Sequence, residues 1–331
     1  MFEGKKILIT GGTGSLGKYL TKKLLNENVD TIRILSRDEW KQIQMDEEIK
    51  DERLRFLIGD IRDKDRLSRA VEGVDIVIHA AALKHVPIAE YNPFEAIKTN
   101  VFGSQNLIEC CLNHKVEKVL AIGTDKAVSP LNTYGASKML MERLFISANY
   151  YKGSKETKFI CVRYGNVLGS RGSLLPKVLS QIDGGEEITI TDPSMTRFNI
   201  TMSDAVKLIF RALTNGHGGE IFIPRLKAYK VHDMIHTLQK FKNSNNKEKR
   251  IPVRTGEKFH EILINNEELR STYQTKDDFL IIENPTQLHK LDKNIIKNTS
   301  MNSDYISNSV ELLTSDELLD LIKTDDFIKN S

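Results

Sequence analysis

The sequence predicts an α/β fold: a doubly wound parallel sheet with helices on both faces, joined to a smaller, mostly C-terminal lobe. Three observations predict it. Short β-branched apolar runs alternate with helical patterns through the first half of the chain. The runs are nearly all apolar rather than alternating, as expected of strands buried on both faces. A glycine-rich turn separates the first run from the first helical pattern.

In chain order the strand runs are KKILIT, VDTIRILS, LRFLIGD, VDIVIHAAA, VEKVLAIGT and TKFICVRYG, with helices expected over about 15–26, 63–72, 93–114 and 132–151. Beyond residue 166 the pattern loosens into a helix near 173–183, the run EEITITD, a helix near 203–214 and the run GGEIFIP. Such interleaving predicts one domain over 1–166, completed by about 196–224, and a lobe assembled from 167–195 and 225–331. Residues 240–250, KFKNSNNKEKR, hold a single aromatic, Phe241, have no second basic cluster nearby, and read as a solvated loop rather than a basic patch. After the polar stretch 297–309, Thr314 and Glu317 form a capping box for a short helix whose Leu318, Leu321 and Ile322 would dock it. No internal repeat is visible.

Composition narrows the function. Lys and Arg number 48 against 45 Asp and Glu, for a net charge of +3, so nucleic acid and membrane surfaces are not expected partners. Hydrophobic residues at 40% and charged residues at 28% describe a folded globular chain. Cys110, Cys111 and Cys161 lack disulfide or ligand spacing and read as small core residues. No metal site is expected, because no second histidine follows His260-Glu261 at a ligand spacing. The start MFEGKKILIT has no basic-then-apolar leader, and no run of about 18 apolar residues occurs, so a reducing cytoplasm is expected. The sequons at Asn199 and Asn298 carry little meaning there.

KKILITGGTGSLGKYL sets Gly11, Gly12, Gly14 and Gly17, with Thr13, Ser15 and Leu16 among them, between a strand and an amphipathic helix. Such a turn brings backbone N–H groups and the positive helix end to a pyrophosphate, the mark of a Rossmann-type dinucleotide site. At the end of the second strand an acid would accept from the NAD ribose; here Ser36 and Arg37 stand, with Lys41 a turn later. These suit a 2′-phosphate, so NADP is expected over NAD, although a slightly different strand end would bring Asp38 to the ribose. Asp60 and Ile61 after the third strand, and Ala80, Ala81 and Ala82 after the fourth, would flank the adenine and the cofactor's flat underside. Each also reads singly as a turn acid or a small core residue.

The segment GTDKAVSPLNTYGASKML carries the chemistry. Tyr134 and Lys138, four apart, share a helix face. The cation would lower the phenol's pKa and hold the cofactor ribose, and the phenol would take a proton from an alcohol losing hydride. Thr124 would orient the same alcohol. With the glycine turn, these residues resemble the extended short-chain dehydrogenase/reductase superfamily, and Asp125-Lys126 sets the chain apart from its simpler members.

TDKA, YGASK, HAAALKHVPIAEYNPFEAIKTN, RYGNVLGSRGS, TDPSMTRF and RTGEKFHE together are similar to the UDP-N-acetylglucosamine 4,6-dehydratases, over about residues 4 to 285. The resemblance is closest to the branch that inverts C5; related dehydratases often carry Met where Tyr134 stands. It implies oxidation at C4, elimination of water across C5–C6 and hydride return to C6. Lys126 would be the base at C5 and Asp125 the acid at the 6-hydroxyl, which demands a lysine pKa pushed down and a carboxyl pKa pushed up. Arg197 and Arg254 would hold the diphosphate, Asn166 a phosphate or the sugar, Lys84 both cofactor and sugar, and Glu257 and Lys258 the uridine or each other. The C-terminal lobe would then bind the sugar nucleotide, and the protein would form a homo-oligomer, a dimer or larger, through the helices over 93–114 and 132–151. The rival readings are a sugar-nucleotide epimerase, for which Asp125-Lys126 would be idle, a C5-retaining dehydratase, and a non-catalytic NADP sensor. Where the family shows RPGEK, TRFW and Ser-Ser-His-Asn, this chain reads Arg254-Thr255-Gly256, Phe198-Asn199 and Tyr305-Ile306-Ser307-Asn308, so no site residue is carried over beyond Lys258.

Overall fold

The computed structural model describes residues 1–170, 172–284 and 297–324. Its first half runs β1 (Lys6–Thr10), α1 (Ser15–Leu24), β2 (Thr31–Ser36), α2 (Glu39–Ile49), β3 (Leu54–Ile58), α3 (Lys64–Val71), β4 (Ile76–His79), α4 (Val86–Tyr91), α5 (Pro93–Ile97), α6 (Gly103–Asn113), β5 (Lys118–Ile122), α7 (Thr133–Tyr151) and β6 (Lys158–Val162). The rest is β7 (Asn166–Val167), α8 (Leu174–Asp183), β8 (Ile188–Ile190), β9 (Thr196–Ile200), α9 (Met202–Asn215), β10 (Glu220–Pro224), β11 (Ala228–Lys230), α10 (Val231–Phe241), β12 (Glu248–Arg250), β13 (Ile262–Ile264), α11 (Asn266–Leu269), β14 (Thr272–Gln274), β15 (Asp278–Ile282), β16 (Lys297–Asn298), β17 (Tyr305–Ile306) and α12 (Ser315–Thr324).

Strands β3-β2-β1-β4-β5-β6-β10 lie side by side and parallel. The order reverses between β1 and β4, and a crevice opens at the carboxyl ends of these strands, where such sheets bind ligands. Period-2 alternation sorts the side chains: Ile7, Ile9, Ile32, Ile78 and Ile160 pack on one face with Leu20 of α1 and Ile209 of α9. Leu8, Val77, Val119 and Phe159 pack on the other with Leu107 of α6 and Phe145 of α7. The cysteines are free and buried, as expected of core residues.

Three differences from the sequence reading have local causes. The helix expected over 93–114 is α5 and α6 joined by a π-turn at Lys98–Phe102. There the buried Asn100 side chain bonds the Leu83 backbone and the Ser137 hydroxyl, tying the end of β4 to α7. The helix α2 has no apolar stripe to betray it, burying only Gln42 and Met45. Residues 272–282, assigned by sequence to the lobe, instead extend the large sheet, with β15 antiparallel to β10 and β14 beyond it. The run DFLII is buried throughout and satisfies the open edge of β10.

In the remaining segments α8, β8, α10 and α12 enclose a separate apolar cluster around Val178, Ile188, Met234, Leu238, Leu318 and Ile322. The Thr314–Glu317 capping box forms in both directions, so Leu318 and Ile322 dock as the sequence predicts. Among the described residues no helix is long and apolar enough to cross a membrane.

Candidate active site

A cleft of about 750 Å³ runs from the glycine turn past the ends of β4 and β5 to the segment 251–261. Gly11 has φ +68°, and a Cβ there would lie 2.8 Å from the Ala81 backbone, so the turn can hold only glycine. Gly14, the N-cap of α1, has no side chain with which to cap the helix, and the backbone N–H groups of a helix start suit an anion. These features fit a dinucleotide. Gly11, Thr13, Gly14, Ser15, Leu16, Gly17, Ser36, Arg37, Lys41, Asp60, Ile61, Ala80, Ala81, Ala82 and Lys84 all line this half of the cleft. Asp38, the residue that would have favoured a ribose diol, accepts the Lys41 backbone N–H at 3.1 Å as the cap of α2 and pairs with the Lys41 ammonium.

The reacting end is assembled by close packing at Gly135, where a Cβ would meet the Lys126 carbonyl at 2.2 Å. That contact seats the first turn of α7 against the Thr124–Ala127 turn, bringing Tyr134 beside Thr124 and Lys126. Arg163, 3% exposed, anchors α7 from behind by donating to Glu142 at 2.8 Å and to Glu268 at 2.9 Å. Truncating one member would strand buried charge, so the network fixes position more than it adds net stability.

Thr124, Lys126, Tyr134 and Lys138 line the cleft, as do Asn166, Arg197, Arg254, Glu257 and Lys258. Asp125 is fully buried behind that wall. Its Oδ1 accepts from the Thr124 hydroxyl at 2.9 Å and from the Lys126 ammonium at 3.0 Å. Burial pushes the Asp125 carboxyl up, against the pull of Lys126 and with the help of Glu261. Burial also opposes the charge of Lys126, but the Asp125 and Glu261 carboxylates outweigh it and hold the amine above its usual range. The carboxyl thus moves as the sequence reading demands, whereas the lysine moves the other way, toward its charged form.

Tyr134 is pushed up to about 12 by burial, with the charge of Lys126 and a hydrogen bond with Thr124 acting against the rise. Lys138, expected to be the cation that lowers the phenol, is itself lowered to about 8 by burial and donates to the Ile122 carbonyl. Lys126 takes that role.

Two cleft residues escaped the sequence reading. Glu261, 3% exposed, lies 3.2 Å from Lys126 Nζ and 3.7 Å from Arg197 Nε, and its Oε2 has no hydrogen-bond partner among the described residues. Its backbone N–H donates to Ser307 Oγ, which also bonds Thr196 next to Arg197. The divergent C-terminal segment therefore braces the site from outside the cleft. Lys177 of α8 donates to Thr189 at 2.7 Å and adds a cation beside Arg254, which together with burial lowers its pKa. A cation inside the apolar stretch LLPKVL was its one sequence signal.

A family model described as polysaccharide biosynthesis protein matches residues 7–283. Two Campylobacter jejuni proteins named UDP-N-acetylglucosamine 4,6-dehydratase (inverting) are 49% identical over 285 residues, which is 85% of this chain and 84% of theirs. A Rickettsia rickettsii protein named UDP-glucose 4-epimerase is 40% identical, over 99% of this chain and 98% of its own. The X-ray structure of Pen from Bacillus thuringiensis superposes with a TM-score of 0.93 at 40% identity, covering 99% of both chains.

Proposed function

The chain belongs to the polysaccharide biosynthesis protein family, and from that membership we propose that it is a UDP-N-acetylglucosamine 4,6-dehydratase that inverts C5. The observation that carries this reading is the Asp125–Lys126–Glu261 cluster beside Tyr134, two buried carboxylates about a half-buried lysine. An epimerase needs the tyrosine and the cofactor but has no use for a second acid–base pair. Incubation with UDP-N-acetylglucosamine should give a product lighter by one water. Unchanged mass with a new stereoisomer would favour epimerisation, and no turnover would refute both.

The glycine turn at Gly11, Gly14 and Gly17, with Lys138 further along the cleft, would hold a nicotinamide dinucleotide, which would supply hydride acceptance at C4 and hydride donation at C6. Tyr134 accepts the 4-hydroxyl proton as the phenolate, the form that the Lys126 charge favours, and the resulting ketone acidifies C5–H. The Asp125–Lys126 pair then needs one internal proton transfer across 3.0 Å, which turns carboxylate and ammonium into carboxylic acid and amine. Exclusion of water by the substrate favours that neutral form, because separated charge is costly in a dry site. The Lys126 amine takes the C5 proton. Asp125 gives its proton through the Thr124 hydroxyl, which lines the cleft, to the departing 6-oxygen. One proton delivered to C5 from the face opposite Lys126, matching the one that Tyr134 took from the 4-hydroxyl, closes the proton balance and inverts the centre.

Glu261 sets the pH range of this pair. Its negative charge raises both partners, so Glu261→Gln should let the pair lose its shared proton at lower pH. The alkaline limb of kcat should move down; an unmoved limb would contradict the assignment.

For the cofactor, Arg37 is 58% exposed at the adenosine end and Asp38 is taken up by Lys41, which supports NADP over NAD. Arg37→Ala should weaken NADP at least tenfold and barely change NAD, as read by cofactor titration. The product suits surface-glycan or nonulosonic acid synthesis. Three buried free thiols support a reducing cytoplasm. Exposed Phe94, Phe102 and Leu140 support a homo-oligomer through α5 to α7, measurable by light scattering.

A further inference from the structure

About the outer face of α10, the structure brings together three groups that the dehydration does not use. His232 and His236 are four apart and emerge on one helix face, with ring centroids 4.5 Å apart. Glu248, on β12, reaches the same point: its Oε1 is 3.9 Å from Nε2 of His232 and 3.9 Å from Nε2 of His236. We propose that His232, His236 and Glu248 form a binding site for a divalent transition metal of the zinc class.

The geometry is close to what such an ion requires. Metal–nitrogen and metal–oxygen bonds of about 2.0–2.2 Å in a tetrahedron set the donor atoms about 3.3–3.5 Å apart. The three donors here all lie within 4.8 Å of one another, so small side-chain rotations close the site. Two imidazoles and one carboxylate suit zinc, nickel or copper rather than magnesium or calcium, which prefer all-oxygen shells. The other ring nitrogen of His232 faces Asp233 Oδ1 at 3.9 Å, where a carboxylate can orient a ligating imidazole. The histidines stand 38% and 56% exposed, which leaves the ion a way in and a fourth position to water.

The site would clip α10 to β12 across the loop 242–247. Both elements border the cleft: Val231 opens α10 and lines it, and β12 runs into Ile251 and Arg254, which line it too. Occupancy would stiffen that wall without touching the reacting groups.

Equilibrium dialysis and thermal unfolding of tag-free, chelator-washed protein test the proposal, with Zn²⁺ and Ni²⁺ as probes and Mg²⁺ as control. The wild type should bind one more zinc than His232→Ala/His236→Ala, and saturating zinc should raise its Tm by about 2–5 °C but leave the double variant unmoved. Glu248→Gln should weaken binding at least tenfold. All variants should match wild-type turnover when metal-free, which separates this site from the dehydratase reading. Equal zinc binding by wild type and double variant, no saturable binding at all, or unchanged affinity in Glu248→Gln would overturn it.

Discussion

Lys126→Ala should abolish loss of water, by about 10³-fold or more, while C4 oxidation continues at a reduced rate. The two effects differ because Lys126 meets the two steps differently. In the proposed elimination it is the group that takes the C5 proton, and removing a positioned base typically costs 10²–10⁴-fold. In the oxidation it acts only at a distance, as the positive charge that works against the burial of Tyr134. Its loss raises an already high phenol pKa further and slows proton removal, but the acceptor stays in place. Rapid-scan absorbance should therefore show reduced cofactor accumulating with UDP-N-acetylglucosamine, and mass analysis should find no dehydrated product. Normal dehydration by this variant would mean that the base lies elsewhere. The same substitution leaves Asp125 and Glu261 facing each other without the cation between them, so their combined titration should shift upward.

What the sequence could tell about this site follows from how far apart its parts lie along the chain. The glycine turn, the Thr124–Lys126 turn and the Tyr134–Lys138 pair are local patterns in which spacing alone fixes a shared face or a tight approach. Their placement could be read before any fold was known. Glu261 could not: it reaches Lys126 from 135 positions away, through β13 and the brace at Ser307, and nothing in its neighbourhood signals burial. For Lys138 a helix face says which residues are neighbours but not where a flexible amine points. Here it points to the Ile122 carbonyl. On the fold side, parallel strands buried on both faces announce themselves as apolar runs. By contrast α2, which buries a glutamine and a methionine, has no pattern to read, and β15 is recognisable only once β10 is seen to need a partner.

Tyr134→Phe should lower both C4 oxidation and overall dehydration by about 10²–10⁴-fold, with little change in substrate affinity. Tyr134 is buried at the bottom of the cleft with its hydroxyl bonded to Thr124, and phenylalanine keeps the ring while deleting the only atom that can receive the 4-hydroxyl proton from that position. Because elimination requires the ketone that oxidation creates, the two losses are one loss seen twice. A Tyr134→Phe/Lys126→Ala double variant should accordingly form reduced cofactor no faster than Tyr134→Phe alone, and its dehydration should fall far short of the product of the two single defects. Asp125→Asn, which keeps the tyrosine and its hydrogen bond to Thr124, should instead resemble Lys126→Ala, oxidising without eliminating. The sequence of steps is thus testable by genetics alone. If Tyr134→Phe stopped elimination but still produced reduced cofactor at the wild-type rate, the tyrosine would belong to the second step, and the division of labour between it and the Asp125–Lys126 pair would have to be reversed.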